Sequence, residues 1–258
     1  MNNQVEQAKA FHRLHTLNQP LVLINAWDVG SAKAIEDSGA AAIATSSWAV
    51  AKACGFEDGE KVPLNLILEN ASRIRNAVNC PVTLDIETGY STTPKGVKQT
   101  IVKVIEAGMA GINLEDQNLY DARASLYSID DQVKRIAYAR EAAEEISMPL
   151  FINARTDVFF KPSEKLDDEK LDEVLARARA YEKAGANGIF VPGLNDQEVA
   201  KVLCQNSPLP VNLMADSLDK EQLAKYTDSG ISRLSFGPFP YSHVMSQLTD
   251  LGKSLRGN

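Results

Sequence analysis

The chain has 258 residues, 44% hydrophobic and 24% charged, which is enough apolar material for one large core and lies within the size range of a single α/β barrel. Its net charge of −7 excludes the basic stripe of a nucleic-acid binder, and no run of roughly 18 apolar residues is present to span a bilayer. Three scattered cysteines, Cys54, Cys80 and Cys204, fit a reducing cytoplasm, with neither a disulfide framework nor a CxxC metal site.

In chain order, the first segment, MNNQVEQAKAFHRLHTLNQ, reads as an amphipathic helix and lacks the apolar run of a signal peptide. After it, two kinds of punctuation alternate. One is a proline followed by an apolar run: Pro20-LVLINA, Pro81-VTLDIE, Pro149-LFINAR and Pro210-VNLM. The other is a helix ending in glycine before a short apolar run: Ser38-Gly39, Ala107-Gly108, Ala184-Gly185 and Ser229-Gly230. Glycine suits the left-handed cap of a helix, and proline suits the first residue of a strand. Together they predict eight strands near 21–27, 41–47, 82–87, 111–116, 150–156, 188–192, 211–214 and 231–236. Helix-patterned stretches lie between them, among them LNLILENASRIRNAV, PKGVKQTIVKVIEAG and DDEKLDEVLARARAYEKAG. Short, nearly continuous apolar strands suit a parallel sheet covered by helices. Eight strand–helix units without a linker predict an α/β fold, a single (β/α)8 TIM-type barrel over residues 1–258 with an extra N-terminal helix. An open doubly wound sheet is the alternative.

In such a barrel the strand C-termini carry the chemistry. The third predicted strand ends Asp85-Ile86-Glu87 and the fourth Asn113-Leu114-Glu115-Asp116. Side chains alternate along a strand, so Asp85 pairs in direction with Glu87, and Asn113 with Glu115. Carboxylates converging on one mouth repel unless a cation or proton neutralises them, and an all-oxygen set suits Mg²⁺. Salt bridges to helix residues are the alternative. The fifth strand brings Arg155, a bidentate clamp for an acidic substrate or else an internal partner of Glu115 or Asp157. Thr45-Ser46-Ser47-Trp48 offers hydroxyls and backbone N–H groups to an anion, with Asn212 and Ser235 as weaker additions.

Absences narrow the chemistry further. No lysine stands at a strand end, against a Schiff-base aldolase, and the three histidines fall in terminal helices. The late loops MADS and FGPF lack a glycine-rich phosphate cup, and no nucleotide-binding GxGxxG or GxxxxGK[ST] motif occurs.

The runs Asn25-Ala26-Trp27-Asp28, Ser46-Ser47-Trp48, Gly55-Phe56-Glu57-Asp58-Gly59, Asp85-Ile86-Glu87-Thr88-Gly89-Tyr90, Gly111-Ile112-Asn113-Leu114-Glu115-Asp116-Gln117 and Asn153-Ala154-Arg155-Thr156-Asp157 stand in that order over about residues 18–240. This pattern resembles the isocitrate lyase/phosphoenolpyruvate mutase superfamily. The resemblance implies Mg²⁺ at Asp85, with Glu87 and Glu115 acting directly or through water. It also implies a 2-oxo acid chelating the ion through its carboxylate and carbonyl, the carboxylate held by the backbone of Ser46, Ser47 and Trp48, with Arg155 as the substrate-binding arginine; together with Asp85 and, from its strand end, Asn212, these are the expected substrate contacts. Asp58 matches the family's loop aspartate near the metal, so Arg155, Asp58 and Glu115 are the expected catalytic set. A cation at a developing enolate is strong electrostatic catalysis.

Isocitrate and methylisocitrate lyases carry K-[KR]-C-G-H in the lid after the fourth strand. Here the stretch Gln117-Asn118-Leu119-Tyr120-Asp121-Ala122-Arg123-Ala124-Ser125-Leu126-Tyr127 has neither cysteine nor histidine. Arg123, Tyr120 or Tyr127 closes over a substrate anion, or the stretch is a solvated loop; Ser125 is a weak counterpart of the serine in the mutase lid. The expected activity is a C–C lyase of the oxaloacetate decarboxylase or 2-methylisocitrate lyase kind. The alternatives are C–P chemistry on phosphonopyruvate and a non-catalytic oxo-acid-binding protein. The resemblance further implies a homo-oligomer, dimer or tetramer, with the exchange of last helices reduced because about twenty residues follow the eighth strand.

Overall fold

The computed structural model describes residues 2–15, 19–121, 126–215 and 217–256. Its elements in chain order are α1 (Asn2–Arg13), β1 (Leu21–Leu23), β2 (Asn25–Ala26), α2 (Val29–Asp37), β3 (Ile43–Thr45), α3 (Ser47–Cys54), α4 (Leu64–Ala77), β4 (Val82–Asp85), α5 (Pro94–Glu106) and β5 (Gly111–Glu115). There follow α6 (Ile129–Glu145), β6 (Phe151–Arg155), α7 (Asp167–Lys183), β7 (Gly188–Val191), α8 (Gln197–Asn206), β8 (Val211–Met214), α9 (Lys220–Thr227), β9 (Arg233–Ser235) and α10 (Phe239–Arg256).

Every strand pair is parallel, in the order β1-β9-β8-β7-β6-β5-β4-β3-β2. β1 and β2 are two pieces of one stave. Before Ile24 it pairs with β9, and after Ile24 with β3, so the two ends of the sheet meet. Eight staves therefore ring a (β/α)8-type barrel, as the punctuation predicts. Asn25 fastens the seam: its Nδ2 donates to the Thr45 carbonyl at 2.8 Å. Its Oδ1 accepts from the N–H groups of Phe236 and Gly237 at 3.0 and 2.9 Å. Gly39, Gly108, Gly185 and Gly230 sit just beyond helix ends with φ of 91°, 91°, 99° and 85°, the left-handed caps expected of them.

Strand alternation sorts the core. Ile112, Leu114, Ile152, Ala154, Ile189, Val191, Leu213 and Leu234 are buried on the positions that face the helices. The opposite positions, Asn113, Asn153, Asn212, Arg233 and Ser235, are also buried and hydrogen-bond across the barrel interior. Helix α1 closes the bottom, as the predicted extra helix. Phe11 packs edge-on against Phe151 at 5.3 Å and His15 stacks on the same ring at 4.0 Å. Gln4 and Gln7 tie the helix down by donating to the carbonyls of Ile105, Met109 and Asn79. A polar, tightly filled interior leaves the opposite end as the place for a ligand. Among the described residues no helix is long and apolar enough to cross a membrane.

Candidate active site

A cavity of about 470 Å³ opens at the C-terminal mouth of the staves. Ser46, Ser47, Trp48, Asp58, Asp85, Glu87, Glu115 and Arg155 all line it, so residues from 46 to 155 meet at one place. Asn212, expected among the substrate contacts, does not line it. Met214, two residues further along the same stave, takes the mouth position. Asn212 lies a layer below, 1% exposed, and is linked upward through the Ser235 hydroxyl, which donates to its Oδ1 at 3.2 Å.

Asp85 ends β4 and is held by its neighbours. Its backbone N–H donates to Thr45 Oγ1 at 3.0 Å, and its Oδ2 accepts the Ser47 N–H at 3.2 Å. That N–H belongs to the first turn of α3, capped by Ser46 Oγ on the Ala49 N–H at 3.3 Å. The helix start thus faces Asp85, where an exposed N–H end favours negative charge. Glu87 reaches the cavity differently from the expected strand alternation. It lies past the end of β4 with φ +50°, and its neighbour Tyr90 has φ +55°. Glu60, in the loop after α3, has φ +58°. These conformations disfavour side chains, and here they interlock. The Glu60 N–H donates to Glu87 Oε2 at 2.6 Å, Tyr90 Oη to Glu87 Oε1 at 3.2 Å, and the Tyr90 N–H to Glu60 Oε1 at 2.7 Å.

Of the alternatives for Arg155, the structure shows the internal partner, and with both Glu115 and Asp157. Its Nη1 meets Glu115 Oε2 at 2.9 Å, and Nε and Nη2 donate to the Asp157 carboxylate at 2.6 and 3.1 Å. Three of its five N–H groups are engaged in these contacts, and the residue lines the cavity. Asp116, next to Glu115, points the other way, to Arg177 at 2.9 Å and Tyr181 at 3.0 Å, and is structural.

The negative charge in this mouth exceeds the positive. Burial, then Asp58 and Asp85, push the Glu87 carboxyl up to about 8. Burial also raises Glu115, with Asp157, Asp85 and Glu87 adding to it against the pull of Arg155. Asp58 is exposed at the rim, yet desolvation against the cavity wall and repulsion by Asp85 raise it too. Burial works against the Arg155 cation, but Glu115 and Asp157 outweigh it and hold the guanidinium above its ordinary value. Burial is the first cause of each raised carboxyl, and mutual repulsion among the acids adds to it. Among the described residues no three His, Cys, Asp or Glu side chains stand close enough to enclose a metal ion by themselves. The expected Asp85, Glu87 and Glu115 are therefore not gathered as a direct ligand set: Glu87 accepts from the Glu60 N–H and Tyr90 Oη, and Glu115 is paired with Arg155, which leaves Asp85 as the carboxylate that could take an ion.

Several wall residues escaped the strand-end reading. Phe190 is in register with Arg155 and Asn212 on the neighbouring staves, and Met214 shares parity with Asn212 on its own, so alternation could have found them. Phe160 and Lys161 come from the loop after β6, where periodicity carries no signal. Gly237, Pro238 and Phe239 bring the start of α10 to the rim, and Tyr241 packs edge-on against Trp27 and Trp48 at 5.1 and 5.9 Å. In the lid, Gln117 bridges to Leu126, and the Tyr120 hydroxyl donates to Glu60 Oε2. The Arg135 guanidinium lies over the Tyr127 ring at 4.4 Å. Arg123 and Ser125 lie outside the described residues.

The sequence profile of the phosphoenolpyruvate phosphomutase family matches residues 11–256. An uncharacterized protein of Mycobacterium tuberculosis is 33% identical over 90% of this chain and 83% of its own. An oxaloacetate decarboxylase of Bradyrhizobium is 26% identical over 78% of this chain and 68% of its own. A crystal structure from Burkholderia cenocepacia, provisionally assigned as a phosphonomutase, is 45% identical. It superposes with a TM-score of 0.92 over 97% of this chain and 99% of its own.

Proposed function

The chain belongs to the phosphoenolpyruvate phosphomutase family, and from that premise we propose that it is a Mg²⁺-dependent carbon–carbon lyase acting on a 2-oxo acid. The superfamily includes lyases and mutases. The observation that carries the reading is the gathering of Asp85, Glu87, Glu115 and Asp58 around one mouth with Arg155 pinned beside them. Asp85 would hold Mg²⁺, with Glu87 and Glu115 reaching it through water. When bound, the ion supplies positive charge where the carbonyl oxygen of a keto acid turns negative as the bond to C3 breaks.

The protein's own groups do the rest. Arg155 holds the oxo-acid carboxylate, and Ser46, Ser47 and Trp48 wall its other side. Phe160, Phe190 and Phe239 exclude water from the reacting carbon. Asp58, raised and at the rim, is placed to give or take a proton at C3. Oxaloacetate decarboxylation needs no more than this, and it is the reaction named for the Bradyrhizobium relative. The lid without cysteine or histidine points away from the acid used by methylisocitrate lyases. A second reading, C–P chemistry on phosphonopyruvate, is favoured by the provisional phosphonomutase assignment of the 45%-identical structure.

A direct assay separates them. Purified protein with Mg²⁺ and oxaloacetate is expected to release pyruvate, to stop when EDTA is added, and to lose about 10³-fold in rate in a folded Asp85→Ala variant. Turnover of phosphonopyruvate instead supports the second reading. Oxalate binding with no turnover of any 2-oxo acid would sink both and leave a binding protein.

We also propose that it works as a homo-oligomer on a small carboxylate, with no nucleic-acid or membrane partner, in the cytoplasm. The support for assembly is α10: Val244, Leu248, Leu251 and Leu255 share one face and are all exposed.

A further inference from the structure

Arg233 on β9 is fully buried, two residues below Ser235 on the same stave. Its Nε donates to Ser235 Oγ at 3.0 Å and its Nη2 reaches Asn113 Oδ1 at 3.5 Å. Nη1 has no partner, and no described carboxylate forms an ion pair with the guanidinium. A buried charge without a counter-charge is among the costliest features a core can hold, and an apolar residue of similar length would fill the same space. Burial pulls the guanidinium down to about 9, and the opposing influence is Asp85, at the cavity above.

The groups Arg233 touches explain why it is there. Ser235 and Asn113 are the cavity floor. Asn113 Oδ1 also accepts from Asn153 Nδ2 at 2.9 Å, and Ser235 carries Asn212, whose Nδ2 has no partner either. One cation therefore anchors a sheet of amides and hydroxyls directly under the carboxylate cluster.

We propose that Arg233 is a positioning residue of the oxo-acid site, fixing Ser235 and Asn113 from beneath and supplying positive potential that favours the bound acid while opposing the metal ion alone. The inference rests on the Mg²⁺–oxo-acid reading of the cavity. It predicts that metal and acid affinities move in opposite directions when the charge is removed, which loss of packing alone does not produce. At the separations of neighbouring layers in a barrel, one charge changes such affinities by about tenfold.

The test is titration calorimetry on the full-length protein, with Mg²⁺ alone and with oxalate at saturating Mg²⁺. Arg233→Met is expected to weaken oxalate about tenfold and to tighten Mg²⁺ severalfold. Arg233→Lys, which keeps the charge but not the fork, should leave Mg²⁺ near wild type and weaken oxalate. If Arg233→Met leaves both affinities within twofold, or weakens both together, the role is structural and the proposal falls. Should Arg233→Met fail to fold, Arg233→Lys decides, and unchanged oxalate binding overturns it. Wild-type protein that binds no oxalate with Mg²⁺ would instead bring down the reading of the cavity itself, and this proposal with it.

Discussion

His15 shows what single residues contribute beyond the mouth. Its ring stacks on Phe151, its Nδ1–H donates to the Phe11 carbonyl at 2.8 Å, and Nε2 is buried without a partner. Burial, then Arg233, hold it down to about 3, and burial lowers His12 as well. Below about 6.5 the unfolded chain takes up a proton that the folded ring refuses until about 3, so stability is full above that window and falls as pH drops through it. From His15 alone the loss is about 2 kcal/mol between pH 6.5 and about 5. Urea unfolding near pH 7 and near pH 5 checks this: His15→Leu should flatten the acid-side loss, and an unchanged slope refutes the assignment. At this scale Asp85, Glu115 and Arg155 were legible because stave ends and parity place them. Arg233 was legible in principle, since it shares parity with Ser235, but a buried cation without a partner runs against the usual expectation. Lys161 was not legible, because a loop side chain obeys no period.

The elements were the most readable level. Proline before apolar runs and glycine after helices marked all eight staves, since both residues act through backbone geometry that tertiary packing rarely overrides. What the pattern missed was the break at Ile24 that lets one stave pair on both sides, and the turn that swings Glu87 into the mouth. One turn between elements is exacting. Gly193 follows β7 with φ +82°, and a β-carbon there would stand 2.7 Å from the Phe159 carbonyl oxygen. Backbone cannot give way as a side chain does, so Gly193→Ala should cost about 2–3 kcal/mol in denaturant unfolding. Because the displaced segment carries Phe160 and Lys161, oxalate affinity should fall as well. A variant as stable as wild type would show that the loop yields freely.

For the whole molecule, the exposed face of α10 makes a prediction that ring closure does not. Light scattering should give a mass of two or four chains, and Leu251→Glu should lower it while leaving the far-ultraviolet circular dichroism intact. A monomeric wild type would count against the proposed assembly. The barrel and its cavity were readable from sequence because one repeated unit builds them; the proposed assembly has no such signal of its own, since α10 is patterned like any amphipathic helix. The Asn25 clamp has a consequence for synthesis. The mouth is complete only when a residue near the beginning grips the N–H groups of residues 211 and 212 positions later. Contacts so distant in the chain form late. On the proposed reading, a chain cut short before Phe236 would carry Asp85, Glu87 and Glu115 and yet lack the seam that closes the mouth around the proposed ligand.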